Sequence, residues 1–346
     1  MNAPDDLTRV PHTDPLEIYR YRDGLYAEDL LILALVRLDF FSALETEPTD
    51  LEGLCRRHSL HRRPADVMVT LFRAMGLITL RADGRYEPTP AAREHLVASS
   101  PWFIGPYYES LVDRPVVKDL LRVLQTDKPA NWGSQASQPD WHKAMEKPDF
   151  ARQFTRAMDC RGVFLAQALA KHLPAGRSRS LLDIAGGSGI YACSLCAHFP
   201  ELTATVLEKP PVDAICAQAI EARGFSDRVR VVAGDMLEGP LPGGHDLHLY
   251  SNVLHDWDVP VVRALLERSF AALPPGGRLL IHDAFLNREK DGPLHVAEYS
   301  VMLMHATQGR CYGVGEMEGW LKEAGFTDYL ELPGGAARGG LIATRP

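Results

Sequence analysis

The spacing of apolar residues divides the chain into two kinds of text. Up to about residue 100, apolar positions recur at helical intervals. The run "EDLLILALVRLDFFSAL" (28–44) is apolar on most faces, which predicts a buried helix. "DLEGLCRRHSL" and "RRPADVMVTLFRAMGLI" predict two more helices joined by a tight turn. "LITLRADGRYEPT" then reads as strand, Asp-Gly turn and strand, a hairpin signal. Helix, turn, helix and hairpin make a winged-helix pattern. Further helices broken by loops are expected to residue 178. They include a polar loop over 125–141 and a long helix over 149–173.

From residue 180 the rhythm changes. "SLLDIAG", "LTATVLEK", "RVRVVAGDM", "DLHLYSNVL", "GRLLIHDAFL" and "GGLIATRP" read as strands, with helical stretches between most of them. That alternation predicts an α/β unit, a parallel sheet with helices on both faces. The expected divisions are therefore 1–100, a helical winged-helix region; 101–178, a helical linker over the substrate site; and 179–346, the α/β domain.

Composition narrows the function. The 346 residues, 46% hydrophobic and 24% charged, suit a globular protein of about two domains. The winged-helix pattern raises DNA binding, and residues 51–81 do carry Arg56, Arg57, Arg62, Arg63, Arg73 and Arg81 against Glu52 and Asp66. The net charge of −8 argues against nucleic acid and anionic membrane as partners. The longest apolar run, "LLILALV", is far short of a membrane span, and the acidic N-terminus lacks a secretory pattern, so a cytoplasmic protein is expected. Cys193 and Cys196 have CxxC spacing without a second pair, and plain packing is expected of them.

The candidate chemistry begins at the first α/β turn. "LLDIAGGSGIYACSL" places Asp183, Gly186, Gly187 and Gly189 where a strand enters a helix, so a ligand can approach the backbone and meet free N–H groups. The second strand ends in Glu208, an acid able to hold a ribose diol. The third ends in "GDM", where Asp235 can accept from an adenine amino group and Met236 can pack on the ring. A nucleotide-like cofactor follows.

"DIAGGSG", "GDM", "HDW" and "ALPPGGRLLI" together resemble the class I S-adenosylmethionine-dependent methyltransferases of the caffeate O-methyltransferase type, over nearly the whole chain. The resemblance implies a Rossmann-like methyltransferase domain, a dimerising winged-helix region and hence a homodimer. It implies S-adenosylmethionine held by Asp183, Gly186, Gly187, Gly189, Glu208, Asp235 and Met236, with Asn252 counted among the contacts. Two positions depart from the family pattern: Ala185 stands where glycine is frequent, and Glu208 where aspartate is.

Two readings of the methyl acceptor stay open. In the family's O-methyltransferases the "HDW" histidine deprotonates a hydroxyl; here that residue is His255, with Asp256 as a substrate contact. The second reading starts from His305 in "EYSVMLMHATQGRCYG", where the usual Arg-Thr signature is missing. A histidine there resembles the metal-dependent α-keto acid C-methyltransferases, in which two histidines and an aspartate bind one metal. The corresponding set is His255, Asp256 and His305, with iron or zinc as the ion. The ion would act as a Lewis acid and stabilise an enolate. Metal-assisted C-methylation of an α-keto acid is the favoured expectation, O-methylation of a phenolic or other hydroxylated natural product the alternative, and a non-catalytic winged-helix regulator a third. His282, Asp283 and His295 are candidates for a supporting partner or base. Phe154, Met158, Phe164, Tyr299, Met302 and Met304 are expected to line the acceptor pocket, with Arg161 or Arg310 available to a carboxylate.

Overall fold

A computed structural model describes residues 6–9, 11–130, 141–174, 176 and 178–346. Most of the polar loop expected over 125–141 lies outside the described residues. The chain forms two compact units, which do not follow the expected divisions. One combines Met1–Leu16, Trp141–Phe285 and Val314–Pro346; the other combines Glu17–Asp140 with Leu286–Gly313. The expected linker over 101–178 is thus shared between them, and a stretch of the C-terminal half joins the N-terminal helices.

In the N-terminal unit the single helix expected over 28–44 is broken. An α-helix spans Ala27–Ile32, a π-helix Leu33–Arg37, and Asp39 adopts φ +45° before the helix Phe40–Thr46. A run apolar around its circumference cannot turn every side to one core along a single axis. The break re-aims Phe40 and Phe41, each 5.4 Å from the Phe72 ring. The helix Leu51–His58 is capped by Asp50, whose carboxylate accepts from Gly53 N–H at 2.8 Å. The helix Arg62–Ala74 follows, then strands β1 (Ile78–Leu80) and β2 (Tyr86–Pro88), paired antiparallel around a turn in which Gly84 takes φ +81°. The helix–turn–helix–hairpin order is as expected.

Most of the arginines over 51–81 are paired within the unit. Arg57 pairs with Glu47, Arg62 with Glu52 and Arg81 with Asp83. The Arg62–Ala74 helix, which a DNA reader would present outward, packs instead on the helix Leu294–Ala306. Arg63 donates to the Gly309 carbonyl at 2.8 Å and the Asp127 carboxylate at 2.7 Å, and Asp66 takes Lys290 Nζ at 2.7 Å and Arg310 Nε at 3.3 Å.

The other unit is built on a seven-stranded sheet of β3 (Ser180–Ile184), β4 (Thr203–Glu208), β5 (Val229–Ala233), β6 (Leu247–Ser251), β7 (Arg278–Asp283), β8 (Thr327–Leu332) and β9 (Gly339–Thr344). The strand order is β5-β4-β3-β6-β7-β9-β8. The first five run parallel, as expected; β9 is antiparallel to both β7 and β8. The central strands read as continuous apolar text because both faces are covered; Leu181, Leu182, Leu247 and Leu249 are fully buried. Strand β8 escaped the sequence reading because it is an edge strand, mostly exposed, with no apolar alternation to mark it. The chain order reverses between β3 and β6, the switch point beyond whose strand ends open α/β sheets bind ligands.

Cys193 and Cys196 are buried in the helix Ile190–His198, and burial pushes the Cys193 thiol up to about 12 and raises Cys196. They pack as apolar groups. Among the described residues no helix is long and apolar enough to cross a membrane.

Candidate active site

Three neighbouring strands deliver three acids to one edge of the sheet. Asp183 is the penultimate residue of β3, Glu208 ends β4, and Asp235 follows β5. Beyond Asp183 the backbone turns sharply through Ala185 (φ +55°), Gly187 (φ +60°) and Gly189 (φ +72°) into the helix Ile190–His198. Gly186 has no room for a side chain: a Cβ would meet the Asp183 carboxyl at 2.7 Å and Val206 at 2.8 Å. Gly187 takes a left-handed conformation that costs glycine little, and its N–H donates to Glu208 Oε2 at 2.9 Å. Ala185 adopts the left-handed region without that licence.

Glu208 also accepts from the Lys209 N–H at 2.9 Å. Burial nevertheless pushes its carboxyl up to about 7, the two backbone donors only moderating the shift. Asp183 is fully buried, and burial likewise raises it to about 7, with the Ala192 N–H opposing. Neither Asp183 oxygen has a hydrogen-bond partner of ordinary geometry. Such a carboxyl calls for a donor from outside the chain. Asp235 is more open: its Oδ1 accepts from Leu237 N–H at 2.8 Å, and Oδ2 lies 3.9 Å from Lys209 Nζ. Met236 beside it is buried. An orphaned acid, a backbone cradle and two further acids at adjacent strand ends suit the polar ends of S-adenosylmethionine.

Across the strand-order reversal, β6 runs into Asn252, which sits at φ +54°. Its side chain is held at both ends: Nδ2 donates to the Tyr191 hydroxyl and to Ser251 Oγ, both at 3.1 Å, and Oδ1 accepts from Arg338 Nε at 3.0 Å. Asn252, expected among the cofactor contacts, has its amide committed to holding this loop. One 3-10 turn, Leu254–Asp256, then carries His255 and Asp256, and Asp258 caps the helix Val259–Ala272.

His255 is buried between two carboxylates. Its Nδ1 bonds Asp283 at the end of β7, and its Nε2 lies 3.8 Å from Asp256 Oδ1. Burial alone would raise the Asp283 carboxyl, but the His255 imidazole and the Ala284 N–H hold it below the ordinary carboxylate value. Asp256 goes the other way: burial pushes it up to about 6 against the pull of His255. Of the three candidates for a supporting residue, Asp283 bonds His255 directly. His282 faces away, its Nδ1 3.0 Å from Ser251 Oγ, and burial holds it down to about 3, so it stays neutral. His295 belongs to the other unit, at the start of the helix Leu294–Ala306.

The expected metal ligands are divided between the two units. Among the described residues no group of three or more His, Cys, Asp or Glu side chains is arranged to hold a metal ion. His255 and Asp256 belong to one unit and His305 to the other. His255 Nδ1 is taken by Asp283. His305 is buried in the last turn of its helix, its ring 4.6 Å from Tyr26 and its Nε2 3.9 Å from Asp119. The expected pocket residues are divided in the same way. Phe154 stacks on Phe150 against Met145, Ala151 and Val212, while Tyr299, Met302 and Met304 are buried in the other unit. Arg310 is paired with Asp66 and lies 4.6 Å above the Tyr312 ring.

Comparison with known proteins is consistent with this geometry. The model of the O-methyltransferase domain family matches residues 117–327. The chain is 32% identical over 308 residues to a 3-hydroxy-5-methyl-1-naphthoate 3-O-methyltransferase of Streptomyces sahachiroi, covering 88% of this chain and 87% of that one. It is 30% identical over 326 residues to the tetracenomycin polyketide synthesis 8-O-methyl transferase TcmO of Streptomyces glaucescens, covering 92% and 94%. Among solved structures, an O-methyltransferase family 2 protein from Planctomyces limnophilus, crystallised with apigenin, superposes with a TM-score of 0.88 at 35% identity, over 99% of both chains. The expected likeness to α-keto acid C-methyltransferases is corrected by these relatives, which are named for O-methylation.

Proposed function

The chain belongs to the O-methyltransferase family of S-adenosylmethionine-dependent methyltransferases, and from that membership we propose that it methylates a hydroxyl of an aromatic natural product, with His255 as general base. The observation that carries the reading is the Asp283–His255 pair. A carboxylate on Nδ1 selects the tautomer with its proton there, so Nε2 keeps its lone pair. That nitrogen accepts the acceptor's hydroxyl proton, and the Asp283 carboxylate stabilises the imidazolium that results. Asp256, beside Nε2, takes a hydrogen bond from the acceptor.

Bound S-adenosylmethionine supplies a methyl group on a sulfonium, an electrophile that needs an aligned oxyanion. Asp183 would hold its methionine end, Glu208 its ribose diol, and Asp235 with Met236 its adenine. Metal-assisted C-methylation loses support because the two relatives described above are named as O-methyltransferases. A homodimer suits the N-terminal unit, where Ile18 and Tyr21 of the helix Leu16–Asp23 and Leu25 just after it are large apolar side chains left exposed.

The test is a product assay with hydroxynaphthoates and hydroxylated polyketides beside α-keto acids, with and without a strong chelator. O-methyl products that persist in chelator are expected; a new carbon–methyl bond, or activity abolished by chelator, would overturn the reading. His255→Gln should lower kcat about 10²- to 10⁴-fold, the scale of a positioned general base, with cofactor affinity unchanged.

A further inference from the structure

The glycine turn is gripped from beneath by a buried ion pair that none of the chemistry above uses. Asp159 lies in the middle of the helix Pro148–His172 and is only 2% exposed. Its Oδ1 accepts from two directions: the Ser188 hydroxyl at 2.5 Å and Arg223 Nη2 at 2.6 Å. Ser188 stands in the turn itself, between Gly187 and Gly189, and is buried. Arg223 follows the helix Val212–Ala222, and its side chain is 7% exposed. Three elements therefore converge on one carboxylate oxygen. Two contacts tighten the same seat: Gly162 lies where a Cβ would meet Ile190 at 2.5 Å, and Gly189 where one would meet Ile220 at 3.0 Å.

We propose that Asp159 is a positioning residue for the cofactor: through Ser188 it holds the glycine turn in the form that receives the methionine end of S-adenosylmethionine. Two left-handed glycines do not define a loop by themselves, because glycine populates many conformations at similar cost. An outside tether has to choose one. A buried ion pair is weak evidence of stability, since desolvation offsets its attraction. Its use here is geometric: Arg223 neutralises Asp159 so that the carboxylate can remain buried and hold Ser188.

The inference rests on the proposed cofactor seat, and the test separates the two. Binding of S-adenosylhomocysteine is measured by calorimetry, and melting by fluorescence, for the wild type, Glu208→Ala, Ser188→Ala, Asp159→Asn and the Ser188/Asp159 double variant. Glu208→Ala reports the seat. If it binds as the wild type does, the seat is elsewhere and the proposal falls with it. With the seat upheld, Ser188→Ala should weaken binding about tenfold, the scale of a charge-assisted hydrogen bond, at an almost unchanged melting temperature. The double variant should bind no more weakly than the weaker single variant, because both remove one interaction. Unchanged affinity in Ser188→Ala, or losses that multiply in the double variant, would overturn the positioning role. Ser188→Ala leaves the ion pair intact, so it decides the matter even if Asp159→Asn fails to fold.

Discussion

Asp283 and Asp256 flank the two nitrogens of one imidazole, yet their carboxyls shift in opposite directions. Asp283 stays charged because His255 and a backbone N–H outweigh its burial, while Asp256 is raised to about 6. Asp283→Asn keeps the shape but offers an amide to Nδ1, so kcat should fall about 10²- to 10⁴-fold; steady-state kinetics at saturating cofactor check it, and cofactor affinity should not move. Asp183 and Glu208, both raised to about 7 by burial, make a second prediction. A cationic sulfonium and donating hydroxyls favour ionised carboxyls, so cofactor binding should release protons. Affinity should then be at least about tenfold weaker at pH 6 than at pH 8; calorimetry in buffers of different ionisation enthalpy reads both quantities. Asp183, Glu208 and Asp235 stood out in the sequence because each lies at or just past the end of an apolar strand. Asp283 stood only as one of three candidates. What selects it is the register of β6 on β7, which pairs Ser251 with His282, and no spacing along the chain announces that register.

Among the elements, the Arg62–Ala74 helix shows how a familiar pattern is put to another use. Its order of helix, turn and hairpin was readable, but the partner of its polar face was not: that partner arrives from Leu286–Gly313, more than two hundred residues later. Arg63 binds the end of the Leu294–Ala306 helix, donating to the Met304 and Thr307 carbonyls at 3.4 Å and to Gly309 at 2.8 Å. Arg63→Met should therefore cost about 1–3 kcal/mol, the scale of hydrogen bonds lost by partly buried groups, read as a lower denaturant midpoint. The surroundings of His305 were hidden for a related reason. An apolar helix carrying one histidine looks alike whether the ring meets a metal or packs on Tyr26. The break at Asp39 was equally hidden, because uniform apolarity says that a segment is buried without saying along how many axes.

For the whole molecule, several buried groups make stability depend on pH in opposing ways. The carboxyls of Asp183, Glu208 and Asp256 are raised to about 7, 7 and 6 by burial. The native state therefore binds more protons than the unfolded chain up to about pH 7, and that stabilisation is lost as pH rises through the raised values. His248 and His282 are held down to about 3 by burial, and burial lowers His58 and His245 as well, so their contribution is lost as pH falls below the ordinary histidine value. Between pH 8 and pH 6 the three carboxyls and the four histidines pull in opposite directions. The stability of the cofactor-free protein should therefore change by no more than on the order of 1 kcal/mol between the two pH values, and urea unfolding at each checks it.

The division of the chain also bears on how such an enzyme can be taken apart. The polypeptide passes between its two units four times, at residues 16, 140, 285 and 313. Neither unit is a continuous stretch of gene, so neither can be exchanged as a cassette by a single crossover. A hybrid joined at residue 140 would pair an N-terminal unit with another protein's Leu294–Ala306 helix. Its success would turn on whether that foreign helix ends where Arg63 can still bind it. Compatibility between the ends of the gene, rather than the quality of either half, decides which chimeras fold.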